Sequence, residues 1–106
     1  MFTVIWHDKA EAELKALPIT VRVKLDRLIK KLEENPRLLR EPDTRPLGNG
    51  LYEVRTMGSN IARGLWVYQA GSKIYLLRIF IKKTQKTPRA ATDLAWQRLE
   101  EMKREI

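Results

Sequence analysis

The residues best suited to chemistry lie in one short run near the carboxyl end of the chain. The run reads Phe80-Ile81-Lys82-Lys83-Thr84-Gln85-Lys86-Thr87-Pro88 and combines ammonium, hydroxyl and amide groups within a few residues. It joins a predicted strand to a predicted helix, and the amino end of a helix adds its own preference for anions. Side chains of these types, gathered at one edge, are suited to binding a phosphate group.

The positive charge of the chain is concentrated around this run. The sequence has 106 residues, with 21 lysines and arginines against 13 acidic residues, and a formal net charge of +8. Residues 54–92 contain no aspartate or glutamate, and the whole positive excess lies within them. Such a field attracts polyanions, although solvated lysines that keep a small protein soluble give the same composition. The basic residues of the segment are Arg55, Arg63, Lys73, Arg78, Lys82, Lys83, Lys86 and Arg89.

Alternation of side chains along the predicted strands places several of these cations on one face of a sheet. Glu53 and Arg55 share a face of one strand, and Arg63 and Arg78 can lie beside them on the next two if the register permits. Arginine and lysine both bind phosphate oxygens. RNA cleavage through its 2′-hydroxyl needs a base, an acid and cations, and a lysine among other cations can transfer a proton. The alternative is that Arg55 and Arg63 are ordinary exposed strand residues.

The composition excludes several classes of active site. There is no cysteine, which removes disulfides, thiolate metal sites and cysteine nucleophiles. The sequence shows no metal-ligand cluster, Walker loop or dinucleotide fingerprint, so neither a metal nor another cofactor is expected. His7 is the single histidine, and its position beside a predicted helix cap favours a structural role. No apolar stretch of about 20 residues and no secretory signal is visible, which predicts a cytoplasmic protein without membrane contact.

The hydrophobic pattern of the first third of the chain predicts a strand and two helices. A β-rich segment covers residues 2–6, and a helical hairpin broken at Pro18 follows it. Asp8 is the expected amino-terminal cap of the first helix. The three tryptophans and three tyrosines of the chain are expected in the core.

The rest of the chain is predicted as a meander followed by a last helix. Residues 35–50 read as a loop that ends in a glycine-rich turn. Three alternating segments then form antiparallel strands, the last with Leu77 and Ile79 on one core-facing side. Thr87 as cap and Pro88 at the first position begin the last helix. The sequence therefore predicts one α+β domain over residues 1–106, of order βααβββα, with the helical hairpin and the carboxyl-terminal helix packed on an antiparallel sheet.

Three segments of the sequence together resemble one known protein family. They are Pro46-Leu47-Gly48-Asn49-Gly50-Leu51-Tyr52-Glu53-Val54-Arg55, Ile61-Ala62-Arg63, and the run from Phe80 to Pro88. The chain is similar over essentially its whole length to the phage-derived, HigB-type branch of the RelE/ParE toxin superfamily. The Lys-Lys-Thr-Gln-Lys-Thr-Pro string is the most specific signature of that branch, and the predicted order of elements matches the RelE-like fold.

The resemblance implies a toxin of a type II toxin–antitoxin pair. Such a toxin is a metal-independent endoribonuclease, an mRNA interferase that enters the A site of the 70S ribosome and cuts mRNA during translation. A cognate helix-turn-helix antitoxin would neutralise it, and the toxin would meet operator DNA only through that antitoxin. Two rivals stay open: a ParE-like inhibitor of DNA gyrase on the same fold, and a non-catalytic module that binds RNA or the ribosome.

The resemblance also implies roles for individual residues. Arg55 and Arg63 would bind and stabilise the scissile phosphate, and Glu53 is a candidate base. Arg78 stands where relatives often have histidine. Gly64 stands where a larger apolar residue is expected, which predicts looser packing there. The remaining members of the expected site are Lys82, Lys83 and Lys86 in the catalytic set, and Arg78, Thr84, Gln85 and Arg89 as contacts to RNA.

Overall fold

A computed structural model describes residues 1–81 and 86–104, which form a five-stranded sheet with helices on both faces. The predicted α+β class and the predicted succession of elements are confirmed, with one further strand. The strands are β1 (Thr3–Trp6), β2 (Thr44–Gly48), β3 (Leu51–Arg55), β4 (Ala62–Gln69) and β5 (Lys73–Ile81). The helices are α1 (Asp8–Lys15), α2 (Ile19–Glu34) and α3 (Arg89–Arg104), and a short 3₁₀ helix covers Pro36–Leu38.

The additional strand, β2, lies in the stretch that the sequence predicts as a loop. It forms an antiparallel hairpin with β3 that sets Arg45 opposite Glu53. Pro46 is compatible with this strand because β2 is the outermost strand in the sheet order β1-β5-β4-β3-β2. The connecting turn has left-handed backbone at Asn49, with φ of 56°, and at the glycines on either side of it, which is why the turn reads Gly-Asn-Gly.

The sheet is mixed rather than wholly antiparallel, because β1 pairs in parallel with β5. The last pair of this ladder joins Trp6 to Leu76. Beyond that pair, no strand of the described residues adjoins this side of β5, and the backbone groups of the edge need other partners.

The two faces of the sheet carry separate apolar clusters. One lies under α1 and α2 and includes the fully buried Leu25 and Leu32. The other lies under α3 and includes the fully buried Leu65 and Ala95. Because helices cover both faces of the sheet, the cationic side chains of the strands can reach the surface only near the strand ends and along the sheet edges.

An extra residue in β5 changes the face that its side chains occupy. The pairing with β4 skips Leu77, which therefore forms a β-bulge. The predicted assignment of Leu77 and Ile79 to one side is wrong for this reason. Leu77 packs in the cluster under α3, whereas Ile79 packs in the cluster under α1 and α2.

Two further packing predictions are wrong. Gly64 is tightly enclosed, since an added β-carbon would lie 3.1 Å from side-chain atoms of both Ile79 and Val54. Tyr68 is 42% exposed rather than part of the core. It contacts the buried Trp66 edge to face, with ring centroids 5.0 Å apart, and thus covers that part of the cluster from outside.

Candidate active site

A surface pocket of about 510 Å³ lies between β2 and the amino end of α3. The first hydrogen bonds of α3 run from the N–H groups of Ala91 and Thr92 to the carbonyl of Pro88, so the helix begins at this pocket. The positive end of the helix dipole adds to the cationic character of the pocket. The residues that line it are Arg45, Pro46, Leu47, Lys86, Thr87 and Thr92.

Glu53 is fully buried and contacts two of the residues that line this pocket, Arg45 and Thr87. The Nε of Arg45 lies 3.2 Å from one of its carboxylate oxygens, and Nη1 of Arg63 lies 3.7 Å from the other. The hydroxyl of Thr87 donates a short hydrogen bond to that second oxygen. One carboxylate therefore links β2, β3, β4 and the segment before α3. A buried charge requires partners of this kind.

Arg63 is a fixed cation in the interior of the site. Its side chain is 1% exposed. Burial lowers the pKa of its guanidinium, the charge of Glu53 raises it, and the charges of Arg45 and Arg55 lower it again, leaving it below its ordinary value. An arginine keeps its proton despite such a shift. Arg63 therefore carries a positive charge in the interior of the protein, where burying a charge is energetically unfavourable.

Arg55 lies at the rim of this cluster rather than within it. Its Nε donates to the carbonyl of Pro42 at 3.0 Å, and its side chain lines a different groove, beside α2. Its charge nevertheless acts on Arg63. Arg55 therefore contributes to the field of the site from one side.

Arg78 lies opposite Leu65 of β4, but its guanidinium does not join the cluster of Glu53 and Arg63. It pairs with Glu13 of α1 at 2.5 Å and lies over the ring of Phe80. The expected grouping of Arg78 with Glu53 and Arg63 is wrong in this respect. The reason is that backbone groups along the open edge of β5 have no neighbouring strand, so charged side chains form hydrogen bonds with them instead.

Glu13 and Arg98 satisfy the open edge of β5 together. A carboxylate oxygen of Glu13 accepts from the N–H of Ile79 at 3.0 Å, and Arg98 donates to the carbonyl of Leu77 at 3.0 Å. Arg98 also makes two hydrogen bonds of 2.8 Å to Glu13. This cluster ties α1 and α3 to the bulged part of β5 and so holds the strand that leads toward residues 82–85.

The Glu13 cluster makes stability dependent on pH. Burial alone would raise the pKa of Glu13, but hydrogen bonds from Arg98 and from the N–H of Ile79, together with the charges of Arg78 and Arg98, lower it below 4.5. Since the pKa is depressed in the folded state, the stabilisation is present above the unfolded-state pKa and is lost as pH falls through the folded-state value. We expect the free energy of unfolding to fall more steeply below about pH 4.5 in the wild type than in Glu13→Gln.

Urea unfolding across an acidic pH series measures this difference. Glu11→Gln is the matched control, because Glu11 pairs with Lys15 at the surface of the same helix and such a pair contributes about 0.5 kcal/mol. Parallel pH curves for the wild type and Glu13→Gln would contradict the assignment.

The remaining predicted site residues divide into three groups. Lys86 lines the pocket. Arg89 is 93% exposed and 3.9 Å from Asp93, so it stands at the outer rim at the start of α3. Lys82, Lys83, Thr84 and Gln85 lie outside the described residues.

Sequence reasoning missed Arg45 and misjudged Thr87. Arg45 was hidden because its strand contains Pro46 and reads as a loop. Counting back from the Gly-Asn-Gly turn would have set Pro46 opposite Glu53, because the register shift between Pro46 and Gly48 that brings Arg45 there leaves no local signal. Thr87 was predicted as the cap of α3, but its hydroxyl donates to Glu53 while Pro88 accepts the first helical hydrogen bonds.

His7 lies away from this pocket and has structural partners. Its Nδ1 accepts from the N–H of Lys9 and caps α1 in place of the predicted Asp8. Its Nε2 is 2.7 Å from a carboxylate oxygen of Glu101. Among residues 1–81 and 86–104, no cluster of histidine and carboxylate side chains could hold a metal ion. In the same part of the chain, no helix has the length and apolarity that crossing a membrane requires.

The fold is that of RelE-type toxins. A variant of the E. coli toxin RelE in the free state superposes with a TM-score of 0.68 at 16% sequence identity, covering 92% of this chain and 97% of that chain. The toxin–antitoxin complex RelBE2 from Mycobacterium tuberculosis gives a TM-score of 0.57 at 19% identity, covering 76% of this chain and 98% of the matched one. At these identities the likeness establishes the fold, and the predicted RelE-like architecture is confirmed.

Family membership follows from the sequence itself. Residues 12–100 match the family described as Phage derived protein Gp49-like (DUF891), and the chain belongs to that family. The search of curated proteins gave no match. The phage-derived character expected from the resemblance is thus confirmed at the level of the family.

Proposed function

We propose that the protein is a HigB-type toxin of a type II toxin–antitoxin pair and that it cleaves mRNA on the ribosome. The observation that carries the proposal is the pocket at the amino end of a helix that Arg45 and Lys86 line, with Arg63 buried beside Glu53, the partner of Arg45. The RelE-like fold and the phage-derived family support it. The toxin would act in the cytoplasm, where mRNA is translated, and a helix-turn-helix antitoxin would neutralise it and mediate any contact with operator DNA.

The cations of the pocket suit the charge that develops on a phosphorane. Cleavage through the 2′-hydroxyl places extra negative charge on the phosphate oxygens, and fixed donors in a site shielded from water stabilise that charge. Arg63 supplies a fixed positive charge from behind the pocket, since packing and Glu53 hold its buried guanidinium in place. Arg45 and Lys86 lie nearer the opening, where they can meet the RNA backbone. Arg55 would add to the field from the rim.

The run over residues 82–85 and its neighbours would complete the site. Lys82, Lys83 and Lys86 are the candidates for proton transfer to the leaving oxygen. Thr84 and Gln85 would orient the RNA, and Arg89 would bind a flanking phosphate. Arg78 would contribute mainly to the local field, because its guanidinium is bound to Glu13.

The position of Glu53 favours a positioning role over proton abstraction. A general base must come within hydrogen-bond reach of the proton that it removes. The carboxylate of Glu53 is fully buried between the guanidinium groups of Arg45 and Arg63 and the hydroxyl of Thr87. We therefore assign Glu53 to holding the two guanidinium groups at the pocket.

Two rival functions share this fold. A ParE-like protein would act on DNA gyrase by protein contact, and the basic pocket is not required for such a contact. A passive RNA-binding module would use the same cations for affinity alone, because phosphate contacts give binding without turnover. The arrangement around Glu53 favours the nuclease. Passive binding of RNA needs only exposed cations, and it does not need a buried carboxylate that fixes the direction of their side chains.

A translation extract programmed with one mRNA tests the proposed function. We expect the purified protein to produce new 5′ ends within ribosome-bound messages, mapped by primer extension, and to leave the same mRNA intact without ribosomes. A supercoiled plasmid with gyrase is the parallel assay. Intact mRNA together with gyrase trapped on cleaved DNA would contradict the proposal, and intact mRNA with saturable RNA binding would identify the passive module.

A further inference from the structure

Another pocket, of about 320 Å³, lies where the end of β1 and the start of α1 meet the last turn of α3. It is separate from the pocket beside Glu53, since Met102 lines this one and Thr92 lines the other. Those two residues lie about 15 Å apart along the axis of α3, at about 1.5 Å per residue. The volume is at the lower end of the range for small-molecule sites, so the pocket suits a small ligand.

The inner wall of this pocket is apolar apart from one hydroxyl group. Ile5 and Tyr75 are paired residues of β1 and β5, and they pack with Met102 in the cluster under α3. Tyr75 is 6% exposed, and its hydroxyl makes no hydrogen bond within residues 1–81 and 86–104. The hydroxyl of a buried tyrosine usually has a partner. Since Tyr75 lines the pocket, this hydroxyl is available to a molecule that binds there.

Hydrogen bonds of His7 hold the outer wall of the pocket in place. The Nδ1 of His7 accepts from the N–H of Lys9, and Nε2 lies 2.7 Å from a carboxylate oxygen of Glu101. These contacts tie the start of α1 to the last turn of α3. Both ring nitrogens of His7 therefore have partners, and the pocket is formed before a ligand enters it.

Two opposite charges stand at the opening of the pocket. Asp8 is the first residue of α1, and Lys73 is the first residue of β5. Both residues are exposed, and both line the pocket. Lys73 shares a face of β5 with Tyr75, because side chains two residues apart on a strand point the same way. The opening therefore offers a carboxylate and an ammonium group beside an apolar wall.

We propose that this pocket binds a free α-amino acid with an apolar side chain. The ammonium group of the ligand would meet Asp8, and its carboxylate would meet Lys73 and accept from the hydroxyl of Tyr75. Its side chain would lie against Ile5 and Met102. Charge-assisted hydrogen bonds of both signs fix the orientation of such a ligand, and burial of its apolar side chain contributes affinity. The inference does not rest on the proposed nuclease function.

The charges at the opening argue against a simple ion as the ligand. An anion such as phosphate would match Lys73 but would also face the carboxylate of Asp8. A metal cation would match Asp8 but would face the ammonium group of Lys73. Neither ion would use the apolar wall. A zwitterion with an apolar side chain matches all three features of the pocket.

Titration of the full chain with L-leucine provides the test, and amide chemical shifts locate the binding surface. Three control compounds each lack one feature of leucine: 4-methylpentanoate lacks the ammonium group, 3-methylbutylamine lacks the carboxylate, and glycine lacks the apolar side chain. We expect leucine to bind saturably with a dissociation constant of about 1 mM or lower, with shifts around the pocket. Each control should bind about tenfold more weakly or worse. No saturable binding of leucine, shifts elsewhere, or equal binding of any control would overturn the inference.

Two variants test the assigned contacts. Tyr75→Phe removes the hydroxyl and keeps the ring, and Lys73→Gln removes an exposed charge, so both should fold and both should bind leucine about tenfold more weakly. The matched controls are Tyr68→Phe, at an exposed tyrosine that contacts Trp66 in the cluster under α1 and α2, and Lys30→Gln, at an exposed position of α2. Both controls should bind leucine as the wild type does. An unchanged affinity in Tyr75→Phe and Lys73→Gln would overturn the inference.

A last variant tests whether the chain itself competes for the pocket. Glu105 and Ile106 follow α3 directly and lie outside the described residues. Ile106→Ser removes the apolar side chain that is nearest in sequence to Met102 on that side. We expect this variant to bind leucine with the affinity of the wild type. A gain in affinity of about tenfold or more, which corresponds to about 1.4 kcal/mol, would assign the pocket to residues 105–106 and overturn the inference.

Discussion

Replacing Arg63 with alanine is expected to lower ribosome-dependent mRNA cleavage by about 100-fold to 1,000-fold, the usual cost of removing one preorganised group that stabilises a developing oxyanion. The guanidinium is buried, held beside Glu53, and directed by the sheet rather than by a loop. It therefore requires no reorganisation when negative charge builds on the phosphate. Single-turnover cleavage in a translation extract measures the loss directly.

The controls for this prediction separate chemistry from folding. Arg104→Ala removes an exposed arginine at the far end of α3 and should cleave mRNA normally. Arg63→Lys keeps the charge but not the planar fork, so it should retain part of the activity. Unfolding midpoints of all variants show whether the assay temperature leaves them folded. Cleavage by folded Arg63→Ala within about tenfold of the wild type would remove Arg63 from the proposed site, since that corresponds to about 1.4 kcal/mol.

Local patterns were enough to predict most of the fold. The apolar periodicity of α2 and α3 and the alternation of β3 and β4 are properties of single segments, and each gave the right element. The β2 strand was missed because Pro46 disfavours a strand locally, and only its place at the sheet edge makes it acceptable. The bulge at Leu77 was missed for a related reason, since alternation within one strand contains no information about an extra residue opposite its neighbour.

The candidate site could be predicted from the sequence to about the same extent as the fold. Alternation placed Glu53 and Arg63 on one face, and they lie there in contact. Arg45 could not join them in the prediction while its strand was missing. The direction of Arg78 depended on which side chain would reach the open edge of β5, and Glu13 comes to that edge from a distant part of the sequence. Pairing between remote segments sets these contacts, and no local pattern records it.

Replacing Glu53 with glutamine is expected to destabilise the protein by about 3 kcal/mol, because the change leaves the buried guanidinium of Arg63 without the opposite charge of Glu53 beside it. The glutamine keeps the shape of the side chain and can still accept from Thr87, so the loss reports on charge. Urea unfolding measures it. Glu100→Gln, at an exposed position of α3, is the matched control and should change stability by about 0.5 kcal/mol or less.

The same substitution distinguishes a positioning residue from a base. If Glu53 holds Arg45 and Arg63 in place, cleavage by Glu53→Gln should fall while the pH dependence of the remaining activity keeps its midpoints. If Glu53 removes the proton of the 2′-hydroxyl, the acidic limb of the pH–rate profile should disappear with the carboxylate. We expect the first result, because the carboxylate of Glu53 is fully buried between Arg45, Arg63 and Thr87.

A double variant separates the structural from the chemical contribution of this pair. Removing both charges with Glu53→Gln and Arg63→Met should restore much of the stability lost in Glu53→Gln, since replacing both partners of a buried pair is often nearly neutral whereas removing one is not. Cleavage should stay as low as in Arg63→Ala, because the positive charge that stabilises the phosphate is still absent. Recovery of cleavage together with stability would show that Arg63 acts only through folding. If stability recovers and cleavage does not, the cation of Arg63 is required for the reaction. The buried carboxylate of Glu53 then serves to stabilise that cation in the interior of the protein.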